Sequence, residues 1–341
     1  MSRDCGKRTS GMRRIARNNS MNILISEPIP TAGIALLKEK HDVTQADHVL
    51  SKQELIASIG SVDALICAST AVDAEVLVAA KKLKVISKLA VGYDNIDIEA
   101  AGKRNVTVTN APGVLNQTVA EFAFAHILAL ARKVLLSDQY VRAGRFEQEP
   151  WTFDLMVGTE ISGKTVGIIG FGSIGRSMVP MARGFGMQVL YTNRKGEIDD
   201  YASDPGVQYA DKEMLLRESD IVVLIVPLTA ETEHMITAAE LSLMKQTALL
   251  VNMARGKVIK ESDLVDALKA GIIAGAGLDV FEFEPKVSKE LFSMPNTILT
   301  PHVGSATEEA RAQLSIKAAQ NAIAVLTGEA CENIVNQQYL P

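Results

Sequence analysis

The chain has 341 residues, enough for two domains with separate hydrophobic cores, and its hydrophobic share of 47% is ordinary for a globular protein. A net charge of -5 with scattered acidic residues gives no basic field to concentrate a polyanion, so no nucleic-acid partner is expected. Cys5, Cys67 and Cys331 form no C-x-x-C pair, which fits free thiols in a reducing, cytoplasmic compartment and argues against a disulfide framework or a zinc site; no metal is expected.

Residues 1–20 carry Arg3, Lys7, Arg8, Arg13, Arg14 and Arg17 against Asp4. They suit a transit peptide superficially, but read better as an upstream or cloning-derived extension that is expected to be disordered. A fold-like pattern starts at Met21, where "MNILISEP" predicts a short buried strand and a Pro turn. From there to about Asn110 the runs "NILI", "DALIC", "KVISK" and "VTVTN" alternate with helical stretches and predict a parallel α/β unit. One long helix is expected from Thr118 to about Ala143, with Phe122, His126, Leu128, Ala131, Leu135 and Leu136 at helical spacing. The run from Phe122 to Leu136 contains His126 and Arg132 and is too short to span a bilayer, so no membrane segment is expected.

A second alternating series follows in "KTVGIIG", "QVLYT", "DIVVLIV", "ALLVNM", "AGAGLDV" and "TILT", six strand candidates that describe a doubly wound nucleotide-binding sheet. After Pro301 a helix is expected from Thr307 to Leu326, ended by Thr327-Gly328.

The run Gly170-Phe171-Gly172-Ser173-Ile174-Gly175 comes directly after the strand "TVGII" and opens a helix, the context a dinucleotide site requires. Gly170 permits the tight turn, Gly172 lets amides approach a pyrophosphate, and Gly175 allows close helix-to-strand packing. At the end of the next strand, where an acid usually takes the ribose hydroxyls of NAD, stands Asn193, followed by Arg194 and Lys195. A neutral amide and two cations suit a 2′-phosphate, so NADP is the preferred cofactor and NAD a possible one.

Three further strand ends carry Arg255 in "VNMARG", Asp279 and Glu284 in "LDVFEFEP", and His302 in "TPH". Strand ends of a doubly wound sheet converge on its ligand crevice. An Arg, a carboxylate and a His meeting there are the parts needed to reduce a 2-ketoacid: Arg holds the carboxylate and polarises the carbonyl, and His protonates the nascent alcohol oxygen. A carboxylate beside the His keeps it charged until it acts.

From Met21 almost to its end the sequence resembles the D-isomer-specific 2-hydroxyacid dehydrogenases. The resemblance is carried by "KLAVGYDNIDIEAA", "VTNAPGVLNQTVAEFAFAHIL", "VGIIGFGSIG", "PLTAETEHMI", "VNMARGKVIKESDLVDAL", "GLDVFEFEP" and "LTPHVGSAT". It implies two doubly wound parallel-sheet domains, a Rossmann-type nucleotide domain over residues 118–303 and a flavodoxin-like, discontinuous substrate domain over 21–117 and 304–341. It implies Arg255 as the substrate-polarising residue, Glu284 as the partner of His302, and His302 as acid/base. It also implies backbone amides of Val91 and Gly92 on the substrate carboxylate, and Asp279 on the nicotinamide carboxamide. Ser173, Ile174, Pro227, Thr232, Ala254 and Gly304 join the implied cofactor set.

The family is usually homodimeric through its nucleotide domains. Within it, "LYTNRK" and "EPKVSKELF" look more like glyoxylate, hydroxypyruvate and 2-ketogluconate reductases. The alternatives are a 3-phosphoglycerate or D-lactate dehydrogenase, or a dinucleotide-sensing corepressor-like binding protein.

Overall fold

The computed structural model describes residues 20–341, so the expected N-terminal extension lies outside the described residues but for Ser20. Two compact units form, one reaching Ala111 and resuming at Ala312–Pro341, the other Pro112–Arg311. The breaks differ from the expected 117/118 and 303/304. Residues 304–311 stay with the second unit, where the Gly304 amide is tied to the Asp279 carboxylate at 2.7 Å.

In the first unit β1 (Asn22–Ile25), β2 (Asp42–Gln45), β3 (Ala64–Cys67), β4 (Val85–Lys88) and β5 (Thr107–Thr109) make one parallel sheet in the order β2-β1-β3-β4-β5. This is the flavodoxin-like order. The intervening helices are α1 (Thr31–Lys38), α2 (Lys52–Ser58), α3 (Ala74–Ala79) and α4 (Ile98–Lys103). Their starts are written locally: Ser51 and Glu54 form a capping box on α2, while Asp73 and Asp97 cap α3 and α4. Alternate strand residues feed two cores, with Ile23 and Ile25 in one and Leu24 in the other. Cys67 is buried, which pushes its thiol up to about 11. It and half-buried Cys331 are free thiols, whereas Cys5 lies outside the described residues.

The second unit opens with α5 (Asn116–Ala131), α6 (Val134–Arg142) and α7 (Arg145–Gln148). Helical spacing predicts one continuous helix here; the chain instead breaks at Lys133, which has φ 52°. The carbonyl of Ala131 accepts the amide of Thr159 at 2.8 Å, so it no longer serves the next helical turn. There follow β6 (Thr165–Ile169), α8 (Ser173–Gly184), β7 (Gln188–Thr192), β8 (Val207–Tyr209), α9 (Lys212–Glu218), β9 (Ile221–Leu224), α10 (Ala238–Leu243), β10 (Leu249–Asn252), α11 (Glu261–Lys269), β11 (Gly275–Leu278), β12 (Thr297–Leu299) and α12 (Glu308–Thr327).

The strands pair in parallel as β12-β11-β10-β9-β6-β7-β8, the Rossmann order with one strand added. Both faces of this sheet are covered. Ile221, Val223, Leu249 and Val251 point into one core, and Val222, Leu224 and Leu250 into the other, which is why the central strands read as unbroken apolar runs. Because all strands run the same way, the loops that follow them gather along one edge. The order reverses between β6 and β9, which opens the crevice there.

Candidate active site

The loop between β6 and α8 is shaped by its glycines. Gly170 has φ +103°, and a Cβ on it would lie 2.1 Å from the Ile225 carbonyl oxygen; a Cβ on Gly175 would lie 2.6 Å from the Gly170 oxygen. These two positions enforce the turn and the close packing. At Gly172, the N-cap of α8, a Cβ would meet nothing within 4 Å, and no side chain caps the helix. The leading amides of α8, those of Ser173, Ile174 and Gly175, thus have no side-chain cap, and the positive end of the helix dipole lies at the exposed Gly172–Ser173 turn. That is a fit for a pyrophosphate.

At the end of β7, Asn193 Oδ1 accepts the Lys195 amide at 2.7 Å. Its Nδ2 is buried and has no partner, an idle donor at the strand end next to the glycine loop. Arg194 and Lys195 lie at the surface of this turn. Across the loop after β9, the Thr232 hydroxyl donates to the Pro227 carbonyl at 2.7 Å and accepts the Thr229 amide at 2.8 Å, fixing that turn. Glu231 in the same turn is held below the usual carboxylate range, chiefly by the Thr229 side chain and in smaller part by Arg194. It is exposed, within the field of Arg194.

Arg255 follows β10. Buried Asn252 clamps the turn, its Oδ1 accepting the Ala254 amide at 3.0 Å and its Nδ2 donating to the Arg255 carbonyl at 3.0 Å. The guanidinium donates to the Ala254 carbonyl at 2.8 Å and stays half-buried. Gly256 lets this turn lie against the neighbouring loop, since a Cβ there would sit 1.8 Å from the Phe281 carbonyl carbon.

His302 and Glu284 meet in the loops after β12 and β11. His302 Nδ1 lies 3.0 Å from Glu284 Oε2, while Glu284 Oε1 accepts the Phe281 amide at 2.9 Å. Burial by itself would raise the Glu284 carboxyl. The hydrogen bonds from His302 and the Phe281 amide, with the charges of His302 and Arg255, outweigh it and hold the group below its usual range. With Nδ1 on Glu284, Nε2 is the nitrogen left to move a proton. The pair is half open, at 49% and 36% exposure, so it contributes only about 0–1 kcal/mol to stability.

The backbone of His302 has φ 56°, a strained value for a side-chain-bearing residue. Asp279 holds it there: its carbonyl accepts the His302 amide at 2.8 Å, and its buried carboxylate accepts Thr300 Oγ1 at 2.7 Å, the Val303 amide at 2.9 Å and the Gly304 amide at 2.7 Å. Three of roughly four acceptor positions on that carboxylate are thus used internally.

In the first unit, Val91 and Gly92 follow β4. The Val91 carbonyl accepts the Asn110 side chain at 2.8 Å, and Asn110 is itself held by Asn321 at 2.8 Å. In the same unit, buried Glu27 accepts the amides of Ala68, Ser69 and Thr70, and the Lys88 ammonium donates to the Ala68 carbonyl. Sequence reasoning missed Asn252, Thr300, Glu27 and Lys88. Asn252 and Lys88 carried a usable signal, a polar residue closing an apolar strand, and Thr300 stands just past one. Among the described residues no group of three or more His, Cys, Asp or Glu is placed to hold a metal ion, and no helix is long and apolar enough to cross a membrane.

Residues 124–304 match the family model described as D-isomer specific 2-hydroxyacid dehydrogenase, NAD binding domain. A glyoxylate reductase of Thermococcus onnurineus is 45% identical over 325 residues, spanning 93% of this chain and 96% of its own. Among solved structures, the TT0316 protein from Thermus thermophilus superposes with a TM-score of 0.85 at 36% identity, over 92% of this chain and 100% of that one. An NADPH-dependent glyoxylate/hydroxypyruvate reductase from Sinorhizobium meliloti, in complex with NADP and malonate, gives 0.80 at 28% identity, over 94% and 98%. With a dinucleotide fold, a glycine loop fitted to a pyrophosphate and these matches along nearly its whole length, the chain belongs to the D-isomer specific 2-hydroxyacid dehydrogenase family.

Proposed function

We propose that the protein reduces glyoxylate and related small 2-ketoacids such as hydroxypyruvate and 2-ketogluconate to D-2-hydroxyacids, using NADPH in preference to NADH. The observation that carries this is the grouping of Arg255, Glu284 and His302 on neighbouring strand ends, with the His302 ring held by Glu284 at 3.0 Å. The glycine loop holds the dinucleotide phosphates, and Asn193, Arg194 and Lys195 receive its ribose end. When bound, the nicotinamide supplies a hydride to the carbonyl carbon. Arg255 binds the substrate carboxylate and polarises the carbonyl, and His302 gives the nascent alkoxide its proton from Nε2. Glu284 keeps the imidazolium in place and offsets its charge. Val91 and Gly92 supply backbone amides for the carboxylate. Ala254, Asp279 and Gly304 support the nicotinamide end, and Pro227 and Thr232 shape the turn beside the phosphates.

The working form is a homodimer paired through the second unit. Leu135, Val141, Phe146, Trp151, Phe153 and Val157 are all exposed along one stretch of chain, and a groove of about 930 Å³ bordered by Leu135, Val157 and Phe292 lies apart from Arg255, Glu284 and His302. Apolar surface of this extent is what a second copy covers.

Steady-state kinetics on glyoxylate, hydroxypyruvate, 2-ketogluconate, pyruvate and 3-phosphohydroxypyruvate with both coenzymes test the reading. The highest kcat/KM is expected on one of the first three with NADPH. A clear preference for pyruvate or the phosphorylated acid selects a lactate or phosphoglycerate dehydrogenase instead, and slow turnover on all five selects a binding protein.

A further inference from the structure

His126 lies in α5, 3% exposed, inside the second unit. Its Nε2 is 3.1 Å from Thr300 Oγ1, which is 2.7 Å from Asp279 Oδ1. A hydroxyl has one proton to give, and a carboxylate only accepts. Thr300 therefore spends its proton on Asp279, and its oxygen takes the Nε2 proton of His126. This fixes the tautomer, leaving Nδ1 as a bare lone pair. That nitrogen is buried without a partner, packed so closely on β11 that a Cβ on Gly277 would stand 2.9 Å from it. A proton on Nδ1 would find no acceptor there, and burial, the larger influence on the ring, lowers its pKa against the opposing pull of Asp279; both favour the neutral ring.

We propose that His126 is a positioning residue for the proton donor, acting through the chain His126–Thr300–Asp279 on the loop that carries His302; this rests on the reading of His302 given above. The Thr300 hydroxyl has a second acceptor, the Leu278 carbonyl at 3.5 Å. The His126 N–H occupies the lone pair that faces it and keeps the hydroxyl turned to Asp279. Asp279 Oδ1 then stands where it takes the Val303 amide, and Oδ2 takes that of Gly304, with His302 fixed beside them by its own amide on the Asp279 carbonyl. Without the His126 donor the hydroxyl rotates, Oδ1 loses a partner, and the loop samples other positions.

His126→Leu removes the donor at similar volume, and Thr300→Val removes the hydroxyl. Each is expected to lower kcat for glyoxylate reduction by ~3- to 10-fold, the effect of one net hydrogen bond. KM for glyoxylate should change little, while Thr300→Val, which also removes a hydrogen bond to the buried Asp279 carboxylate, should lower the melting temperature. In the double variant the two losses should not multiply, because both break the same chain. Wild-type kcat in His126→Leu, or losses that multiply in the double variant, overturns the proposal. If His126→Leu does not fold, Thr300→Val alone decides: a raised KM with unchanged kcat is the contrary result. Near-normal turnover in His302→Asn would instead defeat the reading of His302 itself.

Discussion

Replacing Asn193 by Asp together with Arg194 by Ala should turn the coenzyme preference from NADPH to NADH. Asn193 Nδ2 is buried and idle, so a 2′-phosphate oxygen would give it a hydrogen bond of about 0.5–1.5 kcal/mol. Arg194 and Lys195 lie at the surface, and charge pairs at exposed sites contribute about 0.2–1 kcal/mol each rather than the larger value of a buried contact. Exposed Glu231, within the field of Arg194, subtracts from the Arg contribution. The three contributions add to about 0.9–3.5 kcal/mol before the Glu231 subtraction, a range that brackets a preference of ~10- to 100-fold in kcat/KM for NADPH. The preference should shrink as salt is raised, since its charged part is screened. In the double variant the new carboxylate can still accept the Lys195 amide, so the turn is kept, while it binds ribose hydroxyls and repels phosphate. Initial rates with both coenzymes at two ionic strengths measure this. Equal use of NADH and NADPH by the natural protein, or an unchanged preference in the double variant, would refute the reasoning and leave Arg194 and Lys195 as a solvated basic turn.

His302→Asn should lower kcat by at least ~100-fold with NADPH affinity nearly unchanged, as expected for loss of a general acid; single-turnover rates beside coenzyme titration check it. Glu284→Gln should move the alkaline fall of the reduction rate to lower pH, because the negative charge beside His302 is gone. Glu284 supplies that charge: its carboxyl is held below its usual range, so it stays negative from neutral pH downward and is neutralised only as pH falls through the depressed value. An identical pH–rate profile in the variant contradicts the pairing. Trp151, 68% exposed and edge-on to Phe153 at 6.2 Å, should weaken the dimer or alter the ranking of small against bulky ketoacids when changed to Ala. Sedimentation and a ketoacid series measure both, and no change in either refutes the role.

Most of the fold was legible because buried parallel strands must be apolar on both faces. The ten strands that read as apolar or β-branched runs are present. The two that escaped notice, β2 and β8, are sheet edges. An edge strand needs one inward residue, Val43 in "DVTQ" and Val207 in "VQY", and the rest stay polar or exposed. The break at Lys133 was hidden for a different reason. It depends on an acceptor taken by Thr159 from a remote loop, and helical periodicity runs straight through it.

The candidate site was legible in its charged residues and illegible in what holds them. His126 read as one more member of an apolar stripe, and Asp279 as a ligand for the nicotinamide. The structure adds that Asp279 over-determines a strained loop. A left-handed His302 costs about 1–3 kcal/mol. The exposed Glu284–His302 pair, at about 0–1 kcal/mol, is too weak to hold it. Three hydrogen bonds to the buried Asp279 carboxylate, at about 1.5–3 kcal/mol each, are strong enough. The two carboxylates therefore differ in what they hold, Asp279 the backbone of the His302 loop and Glu284 the His302 ring. Glu284→Gln should change the pH dependence with little loss of stability, whereas any change at Asp279 should lower stability and displace His302 at once.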